Sequence, residues 1–232
     1  MSRALRFWAS AMIAVLAVTP VAAADLATPV EPLPTPPPSF YVHAGALGIF
    51  FQTNGQPTGG GIFPIANVAI RPVYSLVFEA GYFVTPNIAL TLSTGVPPIE
   101  HIKATGFNAE PAYGSNLLGS LRAGAALFLL QYHFTQFGAI QPYAGVGGGY
   151  LLNFGNISDG ILTNFSVDQE FAFVLQAGTD WKLTPNWGVF VDGKKVFLST
   201  DAQGFAMPGN NPVRSHITLD PWVAATGVTF KF

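Results

Sequence analysis

The sequence predicts an all-β fold: a single-domain, eight-stranded antiparallel up-and-down transmembrane β-barrel with short periplasmic turns and long external loops. Three observations carry this. The chain has 232 residues of which half are hydrophobic and only 9% charged, where a soluble domain would carry about 25%. Beyond residue 24 no apolar run approaches the ~20 residues that a spanning helix needs. The closing stretch Trp222–Phe232 alternates, with Phe232, Phe230, Val228, Thr226, Ala224 and Trp222 on one face and Lys231, Thr229, Gly227, Ala225 and Val223 on the other. It is long enough to cross a bilayer as a tilted strand of about 9–11 residues.

Residues 1–24 read as a secretory signal peptide. Arg3 and Arg6 form a basic start, Phe7 to Val18 an apolar centre, and Ala22-Ala23-Ala24 a small-residue cleavage site before Asp25. Residues 25–39 form a proline-rich periplasmic linker, since proline donates no ladder hydrogen bond; it reads as a spacer, with nothing specific to mark it as a docking motif. Formal charge is −2 and cysteine is absent, so neither nucleic-acid binding nor disulfide or thiol chemistry is indicated.

From residue 40 eight strands follow, approximately Phe40–Phe51, Tyr74–Val84, Asn87–Val96, Arg122–Phe134, Gln141–Asn153, Glu170–Leu183, Asn186–Leu198 and Ile217–Phe232. In the third, Ile88, Leu90 and Leu92 oppose Ala89, Thr91 and Ser93. Connections alternate in length. Thr85-Pro86-Asn87 and Thr184-Pro185-Asn186 are one tight turn used twice, and Thr135–Ile140 is the third short one. Gln52–Val73, Pro97–Leu121, Phe154–Gln169 and Ser199–His216 are the long ones, the arrangement of outer-membrane barrels. Tyr82, Tyr132, Phe134, Trp181, Trp187, Phe230 and Phe232 fall near the short-turn end, and Tyr150, Phe154, Phe171, Phe197 and Trp222 near the other. Two such bands are what the two membrane interfaces require. Trp222, Phe230 and Phe232 are the candidate C-terminal barrel-assembly signal.

Several motifs, in one order, are shared with a known family: Tyr82-Phe83-Val84-Thr85-Pro86-Asn87-Ile88-Ala89, Leu130-Gln131-Tyr132-His133-Phe134, Gln141-Pro142-Tyr143-Ala144-Gly145-Val146-Gly147, Gln176-Ala177-Gly178-Thr179-Asp180-Trp181, Val191-Asp192, Asp220-Pro221-Trp222 and the terminal Phe232. In these the chain resembles the outer membrane protein W family from about Tyr41 to Phe232. The resemblance implies an eight-stranded outer-membrane barrel with a narrow, largely apolar interior, associated with passage or binding of small hydrophobic molecules. The proline linker departs from the family pattern, and the external loops are hard to match, so loop-borne recognition is not carried over.

Alternation assigns the lumen. Towards the loops the inward residues are Val77, Ala125, Leu127, Leu151, Ala172 and Val174, an apolar cup. Lower down they are His43, Glu79, Gln131, His133, Asp180, Lys182, Asp192 and Lys194, a polar plug whose charges must pair in a dry space. Gly145, Gly147 and Gly149 either open volume or ease barrel curvature. Lys194-Lys195 implies either a bulge or outward snorkelling of Lys195.

Enzyme readings do poorly. His43, His101, His133 and His216 lack metal-ligand spacing, the run Gly145–Gly149 is no dinucleotide fingerprint, and Ser93 with His133 has no third partner singled out. No catalytic residue, metal or cofactor is expected. The sequence therefore points to a bacterial outer-membrane barrel, termini in the periplasm, forming a narrow passive conduit or binding site for small hydrophobic molecules. The alternative is a structural or surface-interaction barrel with a filled lumen, acting through its external loops. Expected partners are outer-membrane lipid and lipopolysaccharide, the barrel-assembly machinery and small hydrophobic solutes, with no nucleic acid.

Overall fold

The computed structural model describes residues 39–55, 67–105, 114–206 and 211–232. The signal-peptide reading and nearly all of the linker reading lie outside the described residues. Among those described, fourteen strands form, and eight of them close a barrel: β1 (Phe40–Phe50), β4 (Val73–Phe83), β5 (Ile88–Gly95), β7 (Leu117–His133), β8 (Ile140–Ile157), β10 (Phe171–Lys182), β11 (Trp187–Phe197) and β14 (Trp222–Lys231). Each pairs antiparallel with its neighbour, and β14 returns to β1 from Tyr41↔Lys231 to Phe50↔Trp222. The eight strands expected from alternation are these eight.

Closure is tight because glycines face each other across the seam. Gly45 pairs with Gly227, and a Cβ on either would run into the other strand's backbone. Glycine also seats two inward tyrosines. Tyr41 pairs with Gly81 and Tyr143 with Gly178, and each phenol ring lies where a Cβ on its partner would stand.

The outer face is apolar. Leu76, Phe78, Leu90, Phe128, Phe173 and Val191 are exposed there, which lipid satisfies and water would not. Exposed Tyr132, Trp181, Trp187 and Phe232 ring the short-turn end, and Phe154, Phe171, Phe197 and Trp222 the other. The repeated turn works as one device. Thr85 Oγ1 accepts from the Ile88 amide at 3.0 Å and Thr184 Oγ1 from the Trp187 amide at 2.9 Å. Asn87 Nδ2 then donates to the His133 carbonyl and Asn186 Nδ2 to the Lys231 carbonyl, tying each turn to the next strand.

The described parts of the long connections are largely β-structure. β2 (Asn54–Gly55), β3 (Asn67–Ile70), β6 (Ile99–Thr105), β9 (Leu162–Val167), β12 (Ser199–Ala206) and β13 (Asn211–Thr218) extend the barrel outward. On one side β3 and β6 join the prolonged ends of β7 and β8; on the other the order is β2-β13-β12-β9. Ile102, Ala104, Leu118, Phe165, Ala202 and Val213 belong to a buried apolar cluster that continues without a break into the barrel at Leu127, Leu129 and Val174.

Candidate functional site: an apolar cavity above a polar plug

The plug is built from inward positions on β1, β4, β7, β8, β10, β11 and β14. Lys194 Nζ lies 2.5 Å from Asp192 Oδ1 and 3.3 Å from Glu79 Oε2. His43 bridges two carboxylates, with Nδ1 3.5 Å from Glu79 Oε1 and Nε2 3.0 Å from Asp180 Oδ1. The second is an ion-pair distance without the alignment of a hydrogen bond. Lys231 Nζ reaches Asp180 Oδ2 at 3.2 Å and Gln141 Oε1 at 2.9 Å. Glutamines link the Glu79 and Asp192 carboxylates. Gln131 Nε2 donates to Glu79 Oε1 (2.9 Å) and Gln176 Oε1 (2.8 Å), while Gln176 Nε2 donates to Asp192 Oδ2 at 2.6 Å. The Tyr41 hydroxyl donates to Gln131 Oε1 at 2.5 Å and the Tyr143 hydroxyl to Asp192 Oδ2 at 3.1 Å. His133 Nε2 meets Gln131 Oε1 at 2.9 Å, and the His43 ring stacks on Phe190 at 4.3 Å. Glu79, Gln131, His133, Asp180, Asp192 and Lys194 are all buried, so every charge here has an opposite charge beside it, as a dry interior demands.

Seven of the eight sequence-assigned plug residues thus meet in one network. Lys182 does not. It is half-buried near the end of β10 and makes none of the ion pairs among the described residues. Lys231, on the same inward parity of β14 as Thr229, takes its place beside Asp180. Tyr41, Gln141, Tyr143, Gln176 and Lys231 are members missing from the sequence-based plug set. Each sits two residues from an assigned or recognised inward position, which is the signal that would have found it.

Above the plug lies a cavity of about 130 Å³. An apolar cavity of ~150 Å³ stays dry and holds a benzene-sized guest. Val77, Ala125, Leu127, Leu151 and Ala172 line it; Val174, wholly buried, stands between Ala172 and the plug's Gln176 on β10. Ser93 and Lys194 lie on its lining, and so does Glu100 from β6. The inward glycines of β8 add no volume. Gly145 is covered by the side chains of Gln131 and Gln176 and Gly149 by that of Leu127, while Gly147 admits the β7 backbone at Phe128.

One wall of the cavity has a gap in its hydrogen-bond ladder. The β5–β7 ladder ends at Thr94↔Ala126, and pairing with β7 resumes on β6 at Ile99↔Arg122. Between them lie Pro97 and Pro98, which have no amide hydrogen to donate. Val96 turns away instead, its amide donating to the Leu76 carbonyl and its carbonyl accepting from Ser75 Oγ. Thr94, Val96, Pro98 and Gly124 flank this break and also line the cavity. Lys195 points outward without a bulge, since the β10–β11 register is continuous. Its ammonium donates to Gln52 Oε1 at 2.8 Å and to the Asp220 carbonyl, 5.3 Å from the Trp222 ring centre. Of the candidate assembly signal, Trp222 and Phe232 are exposed, Phe230 packs 4.7 Å from Trp187, and the Phe232 amide donates to the Phe40 carbonyl.

Comparison with known proteins returns a consistent set. The model of the OmpW family matches residues 39–232. Outer membrane protein AlkL of Ectopseudomonas oleovorans is 33% identical over 175 residues, covering 75% of this chain and 73% of AlkL. The solid-state NMR structure of AlkL in lipid bilayers matches with a TM-score of 0.67 at 26% identity, covering 90% of this chain and 97% of that one. The dibenzothiophene metabolism operon protein PahQ of Pseudomonas aeruginosa is 27% identical over 179 residues, 77% of this chain and 79% of PahQ. The crystal structure of the outer membrane protein OprG from Pseudomonas aeruginosa gives a TM-score of 0.76 at 17% identity, covering 84% and 95%, a likeness of fold.

Proposed function

The chain belongs to the OmpW family of bacterial outer-membrane barrels, and on that premise we propose that it is a passive conduit for small hydrophobic solutes. A solute enters the apolar cavity from outside, is barred from the periplasm by the polar plug, and leaves sideways into the membrane through the break beside Pro97 and Pro98. The observation that carries this reading is the coincidence of the break with the cavity: the residues flanking the unpaired stretch are cavity-lining residues. The plug supports the axial bar, since solvating its charges would mean dismantling a network in which they are already paired. The name of PahQ, which ties that relative to dibenzothiophene metabolism, is consistent with an apolar cargo. We assign no catalytic step to the barrel.

The test compares uptake of two solutes of equal size, one apolar and one polar, into protein-bearing and protein-free outer membranes. Faster uptake of the apolar solute alone is expected, and Leu127→Asp or Val174→Asp should abolish it. Faster uptake of both would mean a continuous aqueous pore. No difference for either would favour a structural or surface-interaction role, for which the packing of the external extension speaks, the pocket between Ile102, Phe165 and Val213 measuring only about 20 Å³.

A further inference from the structure

Glu100 is out of place for a hydrocarbon site. It is 7% exposed and lines the cavity together with Val77, Leu121, Leu127, Leu198 and Ile217. It pairs with Leu121 on β7, and the alternation of β6 turns Glu100, Ile102 and Ala104 inward while His101 and Lys103 face away. Among the described residues its carboxyl makes neither a hydrogen bond nor an ion pair. Lys194, the cation on the cavity lining, is held by Asp192 and Glu79. Arg122, one residue along β7 from Leu121, is exposed on the opposite face. The lining from β3, β7 and β13 includes Ile70, Leu121, Ala123 and Ile217, and Thr200 of β12 has its hydroxyl committed to the Asp168 carbonyl.

A buried carboxyl with no partner costs free energy until something supplies one. β6 belongs to the extension beyond the membrane-spanning strands, and burial alone pushes the Glu100 carboxyl up to about 7. Its desolvation is already part of the folded state, so a ligand that brings a donor adds only its own dehydration. A hydroxyl would supply one hydrogen bond; an ammonium would supply a hydrogen bond and the missing charge, the stronger of the two.

We infer that Glu100 is a specificity-determining residue which tunes the cavity for small amphiphilic amines, an aromatic or aliphatic body of about one ring carrying a protonated amino head. The body packs on the aliphatic lining of β7 at Leu121 and Ala123, beside the β6–β7 pairing, and the head meets the Glu100 carboxylate at the external end. This deepens the conduit reading and rests on it.

The test uses the refolded full mature chain in lipid bilayers at pH 8, where the carboxyl is ionised, with toluene, benzyl alcohol and benzylamine as size-matched probes. Dissociation constants come from chemical-shift titration of the cavity residues. Benzylamine should bind at least tenfold more tightly than toluene, with benzyl alcohol between. Glu100→Gln should shrink the benzylamine-to-toluene ratio at least tenfold, and Glu100→Asp, which keeps the charge, should retain part of it. A ratio near one in the natural protein overturns the assignment even if no variant folds. A ratio unchanged by Glu100→Gln overturns it as well. Failure of toluene to bind at all would instead overturn the apolar-cavity reading on which the assignment stands.

Discussion

Replacing Lys194 with methionine would test whether the plug is held by charge pairing. The ammonium sits 2.5 Å from Asp192 and 3.3 Å from Glu79 and is 3% exposed. At an effective dielectric near 20 the longer pair alone is worth about 5 kcal/mol of gross attraction, most of it offset by desolvation. Methionine leaves two carboxylates buried without their cation, and breaking a buried pair in this way costs about 3–5 kcal/mol. Glu79 keeps Gln131 and His43, and Asp192 keeps Gln176 and Tyr143, so the lower end of that range, about 3 kcal/mol, is expected. Equilibrium urea unfolding of the refolded barrel in bilayers, followed by tryptophan fluorescence, measures it. The double variant Lys194→Met with Asp192→Asn removes one charge of each sign and should lose at least 1 kcal/mol less than the two single losses added together, within the range of coupling seen between contacting residues. A single-variant loss below about 0.5 kcal/mol, no more than a substitution away from any special feature, would refute the reasoning.

Other outcomes follow from the same geometry. Gly81→Ala places a Cβ inside the ring position of the wholly buried Tyr41 and should cost about 1–3 kcal/mol by overpacking; Gly81→Ala combined with Tyr41→Leu should recover part of it in the same unfolding assay. Gly124 faces Pro97 across the wall break, where a Cβ on the glycine would stand only 3.3 Å from the proline Cγ, so Gly124→Leu should slow apolar uptake while leaving the urea midpoint nearly unchanged. Gln131→Ala with Gln176→Ala removes the amides that link Glu79 to Asp192 and should raise passage of a small polar solute, read by liposome swelling. Glu100 gives a pH signature. Its carboxyl titrates higher in the folded state than the ordinary 4.5, so folded stability is full below about 4.5 and falls as pH rises through about 7, by about 3 kcal/mol in all. Glu100→Gln should flatten that window in unfolding measured from pH 4 to 8.

Much of this was legible from alternation. Ala89, Thr91 and Ser93 inward against Leu90 and Leu92 outward needs only the two-residue period, and lipid makes the outward set unmistakably apolar. The plug residues followed for the same reason. Their partners did not, because which inward residues meet across the lumen depends on stagger between strands far apart in sequence. Lys182 and Lys231 share one parity, yet only Lys231 reaches Asp180. The external strands were illegible for another reason. β12 and β13 face water on one side and are interrupted by Gly204 and Pro212, so they carry the polar, broken pattern of loops. Glu100 fell within such an expected loop, where a carboxylate would be solvated. Only pairing of β6 with β7 turns it into the cavity.

The seam between β1 and β14 has a kinetic consequence. The two strands that complete the wall are the first and the last of the barrel, and until they meet, each offers lipid a row of unmatched amides and carbonyls. No intermediate with seven strands in place can rest comfortably in the hydrocarbon, and closing the longest loop in the chain comes before any of that cost is relieved. Insertion should therefore be slow and concerted, with a late rate-limiting step. Widening the approach by Gly45→Val or Gly227→Val should slow it far more than an equally disruptive change elsewhere in the wall.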